Sequence, residues 1–307
     1  MLVPFRVLCM MPGNWARIGN AGISFQRHML KMLDDETTAL SKGEPGSGGI
    51  MPSFVRAADM HHLDSATGSN SRAGKKGLSV DEIFGNLFVI NFAGHDTTAN
   101  TLAFGMLLLA AHPDVQDWLA TEIAFATGGN SLDNCDYKEI FPRLKRCRAV
   151  LYEVLRLYPP VPALPSIASN GTQALDVDGQ ALIIPEGINL TVNLRAMQMH
   201  LQYWSNARSW QPSRWISNPA PANSPSDDQI AGEQLLMPNK HIFFPWGEGP
   251  QICPGKKFAE VEAVAVFAYL FQAHRILAKR HPGESDEAVR KRVDKCLNDV
   301  DLEMLIR

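Results

Sequence analysis

Residues 243–255, FFPWGEGPQICPG, set a single cysteine where it could bind or react. Gly247 and Gly249 precede Cys253, Pro254 and Gly255 follow it, and an apolar helical pattern starts at Lys256. Glycine reaches backbone conformations closed to other residues, so this loop can approach a neighbouring group closely. Pro254 suits the first turn of a helix, where the N–H it lacks would have no partner. Free N–H groups and the helix dipole there favour an anion, and so a thiolate at position 253. Such a thiolate can serve as nucleophile or metal ligand, although a lone cysteine is also often a small buried hydrophobe.

A second stretch places polar groups where apolar ones are expected. Ser79-Val80-Asp81-Glu82 has the form of a capping box. It opens the longest helical pattern in the chain, running to about Ala110, roughly 45 Å at 1.5 Å per residue. Apolar residues fall on nearly every face, which predicts a buried helix. In its middle lies Gly94-His95-Asp96-Thr97-Thr98-Ala99-Asn100. Burying these groups is costly unless they are hydrogen-bonded. Gly94 costs a further ~1 kcal/mol of helix propensity. A polar contact between helices is one reading; a working site is the other.

The third pattern is Glu153-Val154-Leu155-Arg156, within a helix expected over 141–158 and closed by Pro159-Pro160. The spacing alone is weak evidence, since Glu287-Ala288-Val289-Arg290 repeats it in a charged segment. An exposed i,i+3 pair contributes only tenths of a kcal/mol. Glu153 and Arg156 differ in having apolar neighbours, where a charge pair must be fully partnered.

Around these stretches the elements fall into order. Phe25, Met29, Leu30, Met32 and Leu33 suggest one face of an early helix. Residues 42–49 read as a loop, 51–62 as a short helix and 66–77 as a polar linker. A helix follows over 114–127, with Val115, Trp118, Leu119 and Ile123 as its stripe. Strand-like runs occupy 164–194, with a turn at Pro185-Glu186-Gly187. Residues 218–233, rich in Pro, Ser and Asp, read as a surface loop, and 256–274 as a helix.

The bulk properties limit the possibilities. The chain has 307 residues, 45% hydrophobic and 20% charged, which reads as globular. A net charge of −3 leaves no global field for nucleic acid. The five cysteines are odd in number, widely spaced and without a C-x-x-C, so neither a zinc site nor a disulfide framework is expected. No signal peptide is evident, and no run of roughly 18 apolar residues could span a membrane.

Trp246-Gly247-x-Gly249-x-x-x-Cys253-x-Gly255 resembles the heme-thiolate loop of the cytochrome P450 family, with a fungal-like continuation after the cysteine. Trp246 stands where Phe is common, and Gln251 where Arg or His is common. Ala93-Gly94-His95-Asp96-Thr97-Thr98 resembles the family's oxygen-activation motif. The resemblance implies that Asp96 and Thr97 guide protons during oxygen activation and that Gly94 leaves room for a flat macrocycle or substrate. It assigns Glu153, Arg156 and Arg214, the last within Pro212-Ser213-Arg214-Trp215, to a structural network behind the cysteine loop. It implies heme b (iron protoporphyrin IX) with Cys253 as iron ligand, near Gly94, Trp246, Gly247, Gly249, Gln251 and Gly255.

The expected fold is mainly α with a small β-sheet, P450-like and N-terminally truncated. Residues 1–78 would hold partial helices and a linker, and 79–307 the heme-binding core, in one domain overall. The implied reaction inserts one oxygen atom from O2 into a small, lipophilic organic substrate, with electrons from an NADPH-cytochrome P450 reductase. Arg143, Lys145, Arg146, Arg148, Lys256 and Lys257 would form a basic face for such a donor, or else be ordinary solvated charge. Full-length members belong to the endoplasmic reticulum membrane; this chain, without an anchor, would be cytoplasmic. The family often has an arginine for a heme propionate after the proline pair, whereas residues 160–179 contain no Arg, Lys or His. The alternatives are a truncated, non-catalytic fragment and a heme-thiolate isomerase or dehydratase. Asp96 and Thr97 speak against the isomerase.

Overall fold

The computed structural model describes residues 4–44, 50, 52–55, 78–164, 167–168, 171–217 and 226–299. They divide into two compact units, residues 1–93 and 94–307. The proposed linker 66–77 lies outside the described residues. So do most of the proposed helix 51–62, of which residues 52–55 form one helical turn, and residues 218–225 of the expected surface loop.

In the first unit, α1 (Phe5–Leu8) turns back onto α2 (Asn14–Ser41). Gly22 allows the close approach, because a Cβ there would stand 2.5 Å from the Phe5 ring. Met29, Phe54, Ile83 and Leu87 form the core, with Phe25 and Leu33 packed against it. Leu30 and Met32, expected on the same face, are exposed. The i,i+4 spacing of 25, 29 and 33 makes one stripe, and positions 30 and 32 fall to either side of it.

The long helix α3 (Val80–Ala111) starts at the expected capping box. The Ser79 amide and hydroxyl donate to Glu82 Oε2 at 2.8 and 2.7 Å, and the Glu82 amide donates back to Ser79 Oγ at 3.3 Å. Its first half departs from the predicted burial. Ile83 and Leu87 are buried, but Phe88 is 50% and Phe92 57% exposed. Phe88 meets Phe25 edge-on and stacks on Phe92, so aromatic contacts cover only part of this face.

The second unit takes the rest of α3 and packs it with α4 (Pro113–Thr127), α5 (Tyr137–Ile140) and α6 (Lys145–Leu157). Then come α7 (Leu194–Gln198), α8 (Ser226–Gly232), α9 (Lys256–Ala273) and α10 (Asp286–Asn298). The core draws on Leu108 and Leu109 of α3, Leu119 and Ile123 of α4, Val150 and Val154 of α6, and Phe267 of α9. Gly105 lets α9 close on α3, since a Cβ there would lie 3.1 Å from the Phe267 ring.

Among the described residues there are three antiparallel strand pairs: β1 (Ile167–Ala168) with β4 (Asn189–Leu190), β2 (Gln173–Val177) with β3 (Gln180–Ile184), and β5 (Ile216–Ser217) with β6 (Gln234–Leu235). Asp178 and Gly179, both at positive φ, turn the β2–β3 hairpin. The helix expected over 141–158 starts as a 3₁₀ turn at Phe141–Arg143, breaks at Leu144 and becomes α-helical at Lys145. Leu144, at ψ of 65°, leaves the helical region and separates the two. The loop expected over 218–233 holds α8, whose first turn carries Asp227 and Asp228 beside the positive helix end.

Candidate functional site

The cysteine loop is held by backbone bonds. The Gly247 amide donates to the Phe244 carbonyl at 2.9 Å, and the Cys253 amide donates to the Trp246 carbonyl at 2.9 Å. Gly247 and Gly249 take φ of 78° and 79°, so the loop's path requires glycine at both. Gly255 is the N-cap residue of α9, and Pro254 therefore precedes the helix instead of entering its first turn. Cys253 is exposed, and Gln251, in the 3₁₀ turn Gly249–Gln251, is exposed beside it. The Lys256 ammonium lies 5.3 Å from the centre of the Trp246 ring.

Gly94, Asp96 and Thr97 sit together on α3 as a separate locus. A Cβ at Gly94 would meet nothing within 4 Å. Asp96 and Thr97 are half-buried. The Thr97 carbonyl accepts the Thr101 hydroxyl at 2.9 Å.

Glu153, Arg156 and Arg214 converge in a buried cluster. Glu153 and Arg156 have side chains 0% exposed. Arg156 donates Nε to Glu153 Oε2 at 2.8 Å and Nη2 to Oε1 at 2.9 Å. Its remaining N–H groups reach the carbonyls of Gln198, Ala207 and Ser209. Arg214 Nε donates to Glu153 Oε1 at 3.0 Å, and the Gln211 amide to the same oxygen at 2.8 Å. The Trp215 indole N–H donates to Glu153 Oε2 at 2.9 Å. The charges are thus fully partnered, the condition for ions at this depth.

A second buried ionic cluster was missed in the sequence. Arg146 grips the Glu233 carboxylate with Nε and Nη2, the latter at 2.7 Å, and both side chains are buried. Arg146 Nη1 donates to the Trp118 carbonyl at 2.8 Å. Arg146 is therefore no part of an exposed basic face. The one sequence signal is that Glu122 falls on the apolar stripe of Trp118, Leu119 and Ile123. Glu122 accepts the Arg146 and Cys147 amides at 2.6 and 3.1 Å, capping α6 from a distant helix. Burial outweighs these donors and pushes its carboxyl up to about 7. Of the other members of the basic set, Lys257 and Arg148 share the Phe141 ring, at 4.4 and 5.4 Å from its centre.

The loop leaves room in front of it for a group that its cysteine could hold. The sulfur is exposed, and a Cβ at Gly249 would meet nothing within 4 Å, leaving the space in front of the loop open. Among the described residues, no three His, Cys, Asp or Glu side chains gather as a metal cluster. Among them also, no helix is long and apolar enough to cross a membrane.

The family model described as cytochrome P450 matches residues 1–292. A cytochrome P450 monooxygenase of Arthrobotrys oligospora is 30% identical over 279 residues, covering 87% of this chain and 47% of the relative. The phomenoic acid biosynthesis cluster cytochrome P450 monooxygenase of Leptosphaeria maculans is 28% identical, covering 92% of this chain and 48% of its own length. The chain thus spans about half the length of the curated relatives it matches. The crystal structure of a cytochrome P450 superposes with a TM-score of 0.64 at 20% identity, over 96% of this chain and 56% of that one.

Proposed function

The chain belongs to the cytochrome P450 family, and from that premise we propose that it is the heme-binding portion, residues 79–307, of a heme-thiolate monooxygenase. The observation that carries the proposal is Cys253, an exposed sulfur in a loop kept open by two left-handed glycines. Cys253 would hold the iron of heme b, with Trp246, Gly247, Gly249, Gln251 and Gly255 shaping the loop around it. When bound, heme would supply dioxygen binding and the insertion of one oxygen atom into a small, lipophilic organic substrate.

The chain's own groups have distinct tasks. Thr97 Oγ1 orients a water, and the Asp96 carboxylate passes a proton along it. Gly94 keeps the helix face clear. Glu153, Arg156 and Arg214 lock the segment that leads into the loop and take no part in the chemistry. Lys256 and Lys257 at the start of α9 attract the acidic surface of an NADPH-dependent reductase. Reversing both charges should slow reduction and flatten its salt dependence; insensitivity to both changes would remove that partner.

The deciding experiment is heme reconstitution of the 307-residue chain, reduction, and addition of carbon monoxide. A strongly red-shifted Soret band, lost in Cys253→Ala, is expected. Absence of heme uptake would leave a non-catalytic fragment, a reading favoured by the exposed Gln251 where the family commonly has a basic side chain.

A further inference from the structure

Oxidisable aromatic rings run inward from the cysteine loop. Trp246 is 6.2 Å from Tyr152, centroid to centroid, and Tyr152 is 5.5 Å from Trp215. Trp204 follows, 5.6 Å from Trp215. Packing explains why such rings cluster. It does not explain which charges meet them. Tyr152 is 4% exposed, yet its hydroxyl donates to the Glu260 carboxylate at 3.1 Å. The Trp215 indole N–H donates to the Glu153 carboxylate. The outer rings carry cations instead: Lys256 over Trp246, and the Arg156 guanidinium over Trp204 at 5.1 Å.

These charges grade the rings. A cation over a π face makes an electron harder to remove, and a carboxylate at the ring's O–H or N–H makes it easier. A phenol that loses an electron becomes a strong acid and needs a proton acceptor, which Glu260 provides. Trp246, under the Lys256 ammonium, is therefore harder to oxidise than Tyr152; at Trp215 the arginines on Glu153 offset its carboxylate. An oxidising equivalent entering at Trp246 therefore settles on Tyr152.

We infer that Trp246 and Tyr152 form a redox relay that draws oxidising equivalents away from Cys253, with Glu260 as its proton acceptor. The inference rests on the heme-thiolate reading of Cys253. The oxidant is heme oxidised by a peroxide; it gains one electron, which Tyr152 supplies through Trp246. The Tyr152 O–H bond breaks, its proton passes to Glu260 Oε1, and a neutral phenoxyl radical remains. A soluble one-electron reductant of the ascorbate class returns the electron, and Glu260 returns the proton. The relay spares the Cys253 sulfur, which would otherwise be carried up the oxidation ladder to sulfonic acid.

The test treats the heme-reconstituted chain with hydrogen peroxide, without substrate, and follows two readouts. Freeze-quenched electron paramagnetic resonance should show a tyrosyl radical that disappears in Tyr152→Phe and weakens in Glu260→Gln. Mass spectrometry should find Cys253 sulfonic acid forming roughly tenfold faster in Tyr152→Phe. Both variants keep the side-chain volume, and thermal melting checks their fold. If the chain takes up no heme, the monooxygenase reading falls by itself. Photogenerated ruthenium(III) tris-bipyridine then serves as the oxidant, and the same loss of radical in Tyr152→Phe decides the relay. A tyrosyl signal that survives Tyr152→Phe, or Cys253 oxidation at the wild-type rate in both variants, overturns it.

Discussion

Five hydrogen bonds enter the Glu153 carboxylate, from Arg156, Arg214, Gln211 and Trp215. Removing its charge would strand Arg156, which is fully buried. Glu153→Gln should therefore cost about 3–5 kcal/mol of stability, read as a lower urea midpoint. A midpoint at the wild-type value would refute the network's structural role. Cys253→Ser, at an exposed position, should shift stability by less than ~0.5 kcal/mol while abolishing the thiolate Soret band. That Glu153 and Arg156 need partners was legible, because a charge pair among apolar neighbours must be satisfied; Arg214 was named only through the family resemblance. The Trp215 indole was not legible, since nothing in its local sequence says where its N–H points. The repeat of the spacing at Glu287 and Arg290 shows how little spacing carries alone. There Glu287 pairs with exposed Lys291, and Arg290 turns to the Ala111 carbonyl at 3.1 Å.

At the scale of elements, α6 begins with Lys145, Arg146 and Arg148 and has no acidic residue in its first turn. Cations at the positive end of a helix are unfavourable. Glu122 of α4 supplies the missing hydrogen-bond acceptor from a distance, and α6 then carries Glu153 and Arg156 at its far end. Glu122→Ala should cost about 2–3 kcal/mol, through two amides left without acceptors. Hydrogen exchange of the Arg146 and Cys147 amides is the direct check: protection equal to wild type would contradict the cap. Gly105 sets the spacing of α3 and α9. Gly105→Val should cost about 1–3 kcal/mol by overpacking against Phe267. A wild-type melting temperature in that variant would mean that the ring can yield.

For the whole molecule, Glu122 also sets a pH dependence. Its carboxyl is raised from 4.5 in the unfolded reference to about 7 in the folded chain. Between those values the folded chain holds a proton that the unfolded chain has released. Its contribution to stability is complete below about pH 4.5 and is lost as pH rises through about 7. The slope should be at most about 1.4 kcal/mol per pH unit. Urea unfolding across that range should show the decline, and Glu122→Gln should flatten it; an equal slope in the variant would assign it to another group.

Read alone, the sequence determined the capping box at Ser79, the amphipathic stripe of α4, the glycine-dependent cysteine loop and the mainly helical class. Each rests on spacing within a few residues, where backbone sterics and side-chain periodicity act directly. Only the tertiary structure decided that Arg146 turns inward to Glu233, that Glu122 caps a helix 24 residues later, and that Phe88 and Phe92 stay exposed. Those outcomes depend on which distant groups share one buried volume, since desolvation and hydrogen-bond satisfaction are settled there and not along the chain.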